Sequence, residues 1–264
     1  MSDRVQLTID NGVATVRLSR PDKLNGLDPE MFDALIDTGK RLAADNTIRA
    51  VVLHGEGKGF CAGLDFQAFM ASAEVGQKLF DRGSESPANV AQRAAWVWQE
   101  VPAPVIAAVH GVAFGGGLQI ALGADLRYVR PDAKLSVMEI KWGLMPDMSI
   151  TQTLLRLVPI DIAKELTFTG RILSGTEAVE LGVATKVCED PLEEALSMAK
   201  VIATKSPHAI RAAKKLLNEA PGLSRADALK LETELQIPLL GSPNQMEAVQ
   251  ANAMKRDPSF ADPE

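Results

Sequence analysis

Two short apolar runs rich in β-branched residues constrain the fold of this chain more than any other feature. The run "IRAVVLHG" occupies residues 48–55, and "PVIAAVHG" occupies residues 104–111. Apolar runs without polar alternation are typical of strands buried on both faces of a parallel sheet. Other predicted elements are interspersed with them: helices at 88–100, 116–123 and 149–157, a strand in "DLRYVR" (125–130), and "KLSV" (134–137) beside that strand. The alternation predicts an α/β architecture built from crossover units.

The N-terminal part adds a hairpin and a capped helix. Two alternating apolar runs in "VQLTIDNGVATVRLSR" flank Asn11 and Gly12, a pair that favours the positive φ angles of a tight turn. In "LDPEMFDALIDTGKRLAAD", Asp28 is the predicted N-cap and Pro29 the first helical residue.

The pattern changes after residue 190, where successive amphipathic helices are separated by Pro and Gly. We therefore predict an α/β core over residues 1–190 and a helical C-terminal part over residues 191–264. The apolar stripes of this helical part predict that it packs on the core or on another subunit.

Composition excludes several classes of function. The chain has 264 residues and a formal net charge of −6, which argues against a nucleic-acid partner. Cys61 and Cys188 are far apart and the three histidines are scattered, so neither a disulfide framework nor a metal site is expected. No apolar segment approaches the roughly 20 residues of a membrane span. The charged start "MSDRVQLTID" lacks the apolar region of a signal peptide. We expect a cytoplasmic, reducing setting without a membrane partner.

Two glycine-rich loops follow the two apolar strands. One is "GEGKGFCAGLDF" (55–66), and the other lies within "HGVAFGGGLQIALGAD" (110–125), where a strand passes through three glycines into a helix. Glycines allow a ligand to approach backbone amides closely, as a phosphate or a developing oxyanion requires. Close strand–helix packing and simple turns are the alternative explanations. Both loops follow strands of one predicted sheet at the same edge, and converging amides from two loops can form a two-donor oxyanion hole.

Two acids follow in "SVMEIKWGLMPDMSITQ" (136–152). Glu139 has apolar neighbours, and desolvation there would raise its pKa toward the value that a base near neutral pH needs. The alternative is a solvated acid at a strand end. Asp147 precedes a predicted helix whose Ser149-x-x-Gln152 start matches a capping box. Its simplest role is then to interact with the dipole of that helix.

The stretches at residues 48–66, 104–129 and 135–147, in this order and spacing, resemble the crotonase (enoyl-CoA hydratase/isomerase) superfamily. The similarity continues through "ELTFTGRILSGTEAVELGVATKV" to the helical tail. The resemblance implies a crotonase-like α/β spiral of ββα units with a helical C-terminal part. It also implies an acyl-CoA thioester as substrate, with coenzyme A part of that substrate and no separate cofactor. Similar family members are homo-oligomers, either trimers or dimers of trimers.

The resemblance also implies individual site residues. Leu64 and Gly116 match the residues whose amides form the oxyanion hole. The positions that match the coenzyme A contacts of the family are Lys23, Leu24, Asn25, Cys61, Ala62, Gly63, Asp65, Lys255 and Phe260. Backbone amides in the two glycine-rich loops suit this assignment, because two preorganised donors stabilise a thioester enolate by ~3 kcal/mol each.

The sequence departs from the hydratases of the family at one position. Gln119 lies three residues after Gly116, where a hydratase carries its second catalytic glutamate. An amide orients water but has no proton to exchange near neutral pH. Glu139 alone matches the proton shuttle of enoyl-CoA double-bond isomerases, and this is the leading interpretation.

Other functions remain open at this stage. One is a hydratase-like lyase in which Gln119 positions water. Another is a dienoyl-CoA isomerase, because Asp147 lies eight residues after Glu139 as in those enzymes. A third, of another class, is a non-catalytic protein that binds acyl-CoA. An apolar acyl pocket is expected from residues 66–98, with these candidates: Phe66, Phe69, Met70, Phe80 and Trp96.

Overall fold

The computed structural model describes residues 3–70 and 73–264. The strands are β1 (Val5–Asp10), β2 (Val13–Leu18), β3 (Ala50–Gly55), β4 (Val105–Val109), β5 (Val112–Phe114), β6 (Leu126–Val129), β7 (Lys134–Ser136), β8 (Leu173–Ser174) and β9 (Lys186–Val187). The helices are α1 (Pro29–Ala44), α2 (Phe66–Met70), α3 (Ala73–Lys78), α4 (Val90–Glu100), α5 (Gly116–Gly123), α6 (Ile160–Thr169), α7 (Gly175–Glu180), α8 (Pro191–Ala203), α9 (Pro207–Glu219), α10 (Arg225–Gln236) and α11 (Pro243–Met254).

The main sheet has the strand order β1-β2-β3-β4-β6-β9. The hairpin of β1 and β2 is antiparallel, with φ of +49° at Asn11 and +77° at Gly12, as the turn residues predict. Every later pairing in this sheet is parallel, which confirms the α/β prediction. Helix α1 begins as predicted, since Asp28 Oδ1 accepts a hydrogen bond of 2.9 Å from the Met31 amide.

A second sheet, β5-β7-β8, corrects one prediction from the sequence. Strand β7 was expected beside the strand that is now β6, yet it pairs with β5 in parallel and with β8 in antiparallel orientation. The free edge of β6 is instead occupied by β9, where Tyr128 pairs with Lys186. The chain leaves the main sheet at Gly111, whose φ is +59°, and Lys134 donates to the Gly111 carbonyl as β7 begins.

The predicted helix at 149–157 and its capping box were wrong. The chain forms two short 3-10 turns there, Ile150–Gln152 and Leu154–Arg156. Ser149 has a φ of +64°, which is outside the extended backbone region that an N-cap residue adopts. Its hydroxyl donates to the carbonyl of Gln92 at 3.1 Å. Asp147 therefore does not precede the dipole of a regular helix.

The first two tail helices, α8 and α9, pack on the core of this chain. Ala195 and Ala199 of α8 are fully buried and belong to the same apolar cluster as Val52 and Ile106 of the main sheet. In α9, the buried Lys214 Nζ lies 2.7 Å from Asp125 Oδ2 and donates to two core carbonyls. The sequence pattern changes at residue 190 because the chain becomes helical there. Helix α8 still packs on one face of the main sheet.

Both cysteines are free thiols. Within the described ranges, no helix combines the length and apolar character needed to cross a bilayer.

Candidate active site

The two glycine-rich loops meet beside a cavity of about 240 Å³. The Cys61 amide donates to Val112 and the Phe114 amide donates to Cys61, both at 3.0 Å, so the loop after β3 runs alongside β5. The predicted convergence of the loops is therefore observed. The cavity wall contains these candidate residues from the sequence: Ala62, Gly63, Leu64, Phe66, Phe80, Gly116, Gln119, Glu139 and Asp147.

Leu64 and Gly116 both line the cavity. The residues on either side of Leu64 are fixed to the chain before α1, because Gly63 accepts from the Leu27 amide and Asp65 donates to the Leu27 carbonyl, at 2.8 and 2.9 Å. Gly116 is the first residue of α5, where an amide has no partner within the helix. Within residues 3–70 and 73–264, neither the Leu64 nor the Gly116 amide donates a hydrogen bond. Both remain available to an acceptor in the cavity.

Two of the three consecutive glycines have a clear local requirement. Gly115 has a φ of +51°, and a β-carbon there would lie 3.2 Å from Glu139 Oε1. A β-carbon at Gly117 would overlap the carbonyl oxygen of Cys61 in the facing loop. The packing interpretation of the glycines is therefore correct, and this close packing brings the two loops to the same cavity.

Glu139 is held by one of its two carboxylate oxygens. Gln119, 1% exposed, donates from Nε2 to Glu139 Oε1 at 2.6 Å. The other amide atom of Gln119, Oε1, accepts from the Met148 amide at 2.8 Å. Oε2 of Glu139 is buried and has no hydrogen-bond partner among the described residues. Burial raises the pKa of the Glu139 carboxyl, while bonds from its own backbone and from Gln119 oppose the rise.

Asp147 lines the same cavity as Glu139. Burial raises the pKa of the Asp147 carboxyl, and a hydrogen bond from its own backbone amide opposes the rise. The negative charge of Asp147 in turn raises the pKa of Glu139. Two carboxyl groups with raised pKa values in one apolar cavity are typical of a proton-transfer site.

The predicted coenzyme A residues form two adjoining segments. The Ala62 amide donates to the Leu24 carbonyl at 2.9 Å, and Lys23 next to Leu24 is exposed. The side chains of Asn25, Cys61 and Asp65 are already bonded within the fold. Asn25 donates to the carbonyls of Glu56, Gly59 and Phe60, at 2.9 to 3.1 Å.

The Cys61 thiol donates to the Asn25 carbonyl, and burial raises its pKa to about 12. Asp65 forms an ion pair of 2.8 Å with Arg20. The backbone amides of Asn25 and Cys61 donate to the carbonyls of Arg20 and Val112, and their own carbonyls accept from the Cys61 thiol and the Phe114 amide. Both residues therefore hold the two segments together.

The two predicted coenzyme A contacts of the tail, Lys255 and Phe260, are not in this cavity. Phe260 lines a separate cleft with Arg49 and Arg256, and Arg49 donates to the Phe260 carbonyl at 2.7 Å. Lys255 ends α11 with a φ of +53° and is exposed. Within this chain, neither residue lines the cavity that contains Glu139.

The apolar wall was predicted only in part. Phe66 and Phe80 line the cavity, whereas Phe69 packs edge-on against Phe32, Met70 is 85% exposed, and Trp96 is outside the cavity wall. Apolar residues that were not among the named candidates complete the wall: Phe32, Leu79, Ala91, Met138, Trp142, Leu144, Met145 and Met148. Phe32 and Ala91 lie on buried helix faces, where the sequence does not separate a pocket wall from ordinary core.

Known proteins share this fold. A solved putative enoyl-CoA hydratase from Streptomyces coelicolor A3(2) matches with a TM-score of 0.88 and 31% identity, covering 98% of this chain and 94% of that one. The fold and the carboxylate-containing cavity define the class of the protein as an enzyme of the crotonase superfamily.

Sequence comparison identifies the family. A probable enoyl-CoA hydratase of Bacillus subtilis (strain 168) is 31% identical over 97% of this chain and 98% of the relative. A peroxisomal Delta(3,5)-Delta(2,4)-dienoyl-CoA isomerase of Arabidopsis thaliana is 30% identical over 97% and 95%. The enoyl-CoA hydratase/isomerase family model matches residues 8–263. The chain belongs to this family of enzymes, which implies an acyl-CoA substrate.

Proposed function

We propose that the chain moves the double bond of a 3-enoyl-CoA thioester to the 2 position, with Glu139 as the only proton shuttle. The observation that carries this proposal is that Oε2 of Glu139 has no hydrogen-bond partner among residues 3–70 and 73–264, in a cavity that Leu64 and Gly116 also line. Such a reaction is a step of fatty acid metabolism.

The proposed reaction conserves atoms and charge. The thioester oxygen accepts hydrogen bonds from the Leu64 and Gly116 amides, and Oε2 of Glu139 removes a proton from C2 of the substrate. The electron pair of the broken C–H bond delocalises into a dienolate, which the two amides stabilise by ~3 kcal/mol each. The protonated carboxyl group then returns the proton to C4, and the double bond forms between C2 and C3. Coenzyme A takes part only as a portion of the substrate.

The contacts of Gln119 argue against efficient hydration. Its amide already bonds Glu139 and the Met148 backbone, and it has no proton to exchange near neutral pH. A two-carboxylate hydratase needs a second acid at this place. If the chain descends from such an enzyme, Gln119→Glu should raise a weak rate of 2-enoyl-CoA hydration. A strong rate in the wild-type protein would contradict this argument.

Dienoyl-CoA isomerisation is a second candidate, and the position of Asp147 favours it. Moving a proton along a longer conjugated system requires groups that exchange protons at separated carbons. Asp147 lines the cavity and its pKa is raised by burial. The Arabidopsis relative that is named as a dienoyl-CoA isomerase also matches 97% of this chain.

A turnover screen tests these candidates. Purified protein is assayed with 2-enoyl-, 3-enoyl- and 3,5-dienoyl-CoA esters of several chain lengths, and products are separated by mass and double-bond position. Glu139→Gln should abolish the 3-enoyl reaction, while the exposed Glu180→Gln of α7 leaves it unchanged. Asp147→Asn should spare this reaction and stop only a dienoyl reaction. Tight binding of the esters by calorimetry without turnover of any would support the non-catalytic alternative.

We also propose that the chain forms a homo-oligomer, either a trimer or a dimer of trimers. Large apolar side chains exposed on the tail helices support association: Leu217, Leu229, Met246, Val249 and Met254. Light scattering should give a mass at least three times that of the chain. A monomer at working concentration would contradict the proposal.

A further inference from the structure

Gln119 contacts both ends of one cavity segment, the stretch from Glu139 to Met148. Its Nε2 donates to Glu139 Oε1 at 2.6 Å, and its Oε1 accepts from the Met148 amide at 2.8 Å. Between these ends lie a 3-10 turn over Glu139–Trp142, Gly143 with a φ of +70°, and Asp147. One buried side chain on α5 therefore closes this segment into a loop.

The chemistry of the two partners fixes the orientation of the Gln119 amide. The Met148 backbone amide is a donor only, so it must face the oxygen of the glutamine side chain. The NH₂ group then faces Glu139, and an ionised carboxylate accepts this bond well. A reversed amide would place two donors together at Met148 and two acceptors together at Glu139. The Gln119 side chain thus offers a donor to a charged Glu139 and an acceptor to the Met148 amide. A charged glutamate at position 119 would have no donor for Glu139.

The surroundings of the bridge are rigid. Gln119 lies in the first turn of α5, and every residue of this helix is buried. On the other side, a β-carbon at Gly116 would lie 2.7 Å from Met148 Sδ, so Met148 packs directly against the start of α5. A β-carbon at Gly115 would likewise lie 3.2 Å from Glu139 Oε1. The start of α5 therefore packs against both Glu139 and Met148, the two residues that Gln119 bridges.

We propose that Gln119 is a positioning residue that bridges Glu139 and Met148, so that Oε1 of Glu139 is occupied and Oε2 is the oxygen left to carry the proton. The same bridge keeps Asp147, the residue before Met148, at the cavity wall. The assignment of Oε2 to the chemistry rests on the function proposed above, whereas the bridge itself does not. The distinctive glutamine of this chain thus holds the base and does not exchange a proton.

The test compares Gln119→Met and Gln119→Glu with Gln99→Met. Methionine approximates the length of glutamine but removes both bonds, and glutamate keeps an acceptor for Met148 while losing the donor to Glu139. Gln99 is the matched control, because its Nε2 donates at 2.6 Å to the Gly123 carbonyl at the other end of α5. All variants are first checked for folding by circular dichroism.

Two measurements need no substrate. The first is hydrogen exchange of the Met148 amide by NMR, which should accelerate at least tenfold in Gln119→Met and stay protected in Gln119→Glu and Gln99→Met. The second is a ¹³C titration of the Glu139 carboxyl, assigned with Glu139→Gln. Its pKa should rise in Gln119→Met, which loses a bond to the charged form, and rise in Gln119→Glu, where two carboxyls share a proton. An unchanged titration and unchanged Met148 protection in Gln119→Met would overturn the bridge.

A third measurement addresses the chemistry apart from double-bond movement. Exchange of the C2 protons of a saturated acyl-CoA with D₂O reports proton removal alone. Gln119→Met should lower kcat for this exchange at least tenfold with little change in KM. The acid limb of the pH profile of kcat should also move to higher pH in this variant. Exchange without 3-enoyl turnover would reject the isomerase and keep the positioning role. A Gln119→Met variant with wild-type kcat and acid limb would reject the positioning role alone.

Discussion

The side-chain nitrogen of Gln119 lies 2.6 Å from Oε1 of Glu139, in a cavity where Oε2 of the same carboxylate has no partner among the described residues. This contact makes the two oxygens of Glu139 unequal. It also partly opposes the effect of burial, which raises the pKa of the carboxyl. A base with a raised pKa that is still held in its charged form suits proton removal near neutral pH.

The first prediction concerns stability and pH. Because burial raises the pKa of Glu139 in the folded protein, the folded state binds this proton more tightly than the unfolded state. The charged carboxylate therefore destabilises the protein increasingly as pH rises from the ordinary glutamate pKa through the raised one. Glu139→Gln should gain free energy of unfolding over wild type at neutral pH, and the gain should vanish in acid.

Urea denaturation across the pH range measures this difference. Glu180→Gln, an exposed change on α7, is the control and should follow the wild-type curve. A Glu139→Gln advantage that grows as pH falls would contradict the assigned direction of the pKa shift.

A second prediction concerns activity and pH. The acid limb of kcat/KM should report the raised pKa of Glu139 and lie above the ordinary glutamate value of about 4.3. Activity should be lost as pH falls through that limb, because the protonated carboxyl removes no proton. The measurement is initial-rate kinetics against pH with the substrate identified by the screen. An acid limb at or below the ordinary value would contradict it.

A third prediction uses Gly115, which has a positive φ and lies close to Glu139 Oε1. Gly115→Ala should cost about 1–2 kcal/mol of stability through the left-handed backbone. The new methyl group should also displace the carboxylate and lower kcat by up to about 100-fold. Gly241→Ala is a matched control, because its φ is +71° and no atom lies within 4 Å of its added β-carbon. The control should lose stability alone, and equal activity in both variants would contradict the prediction.

A fourth prediction concerns the attachment of the tail. Lys214 is buried, paired with Asp125 at 2.7 Å and bonded to the carbonyls of Trp98 and Ala103. Lys214→Met should cost about 3–5 kcal/mol, because it leaves a charge and two carbonyls without their partner. Lys215→Met, on the exposed neighbour, should be nearly neutral by the same denaturation measurement. Adding Asp125→Asn to Lys214→Met should restore part of the loss.

A fifth prediction concerns the acyl group. Ala91 of α4 is 4% exposed and contributes to the cavity wall. Ala91→Leu fills part of that space and should lower kcat/KM for long acyl chains at least tenfold relative to the shortest accepted ester. Competition between esters in one reaction measures this ratio directly. Equal losses for all chain lengths would show that Ala91 does not limit the acyl group.

Much of the fold was predictable because it depends on local patterns. The Asn11–Gly12 turn, the Asp28 cap and the buried strands each follow from conformational preference and burial within a few residues. The place of β7 was not predictable in the same way. Its three residues pair with β5, while β9, much later in the chain, occupies the edge of β6. Pairing between strands that are distant in sequence leaves no local mark in either one.

The sequence by itself determined the family and the two loops that meet at the cavity, because loop positions after buried strands are fixed by the order of the chain. It identified Leu64, Gly116, Gln119 and Glu139, and the structure places all four in one cavity wall. Only the tertiary structure decided what Gln119 contacts. Its bonds to Glu139 and Met148 join residues 20 and 29 positions apart. Hydrogen bonds depend on tenths of an ångström and on direction, and only the packed backbone supplies such geometry.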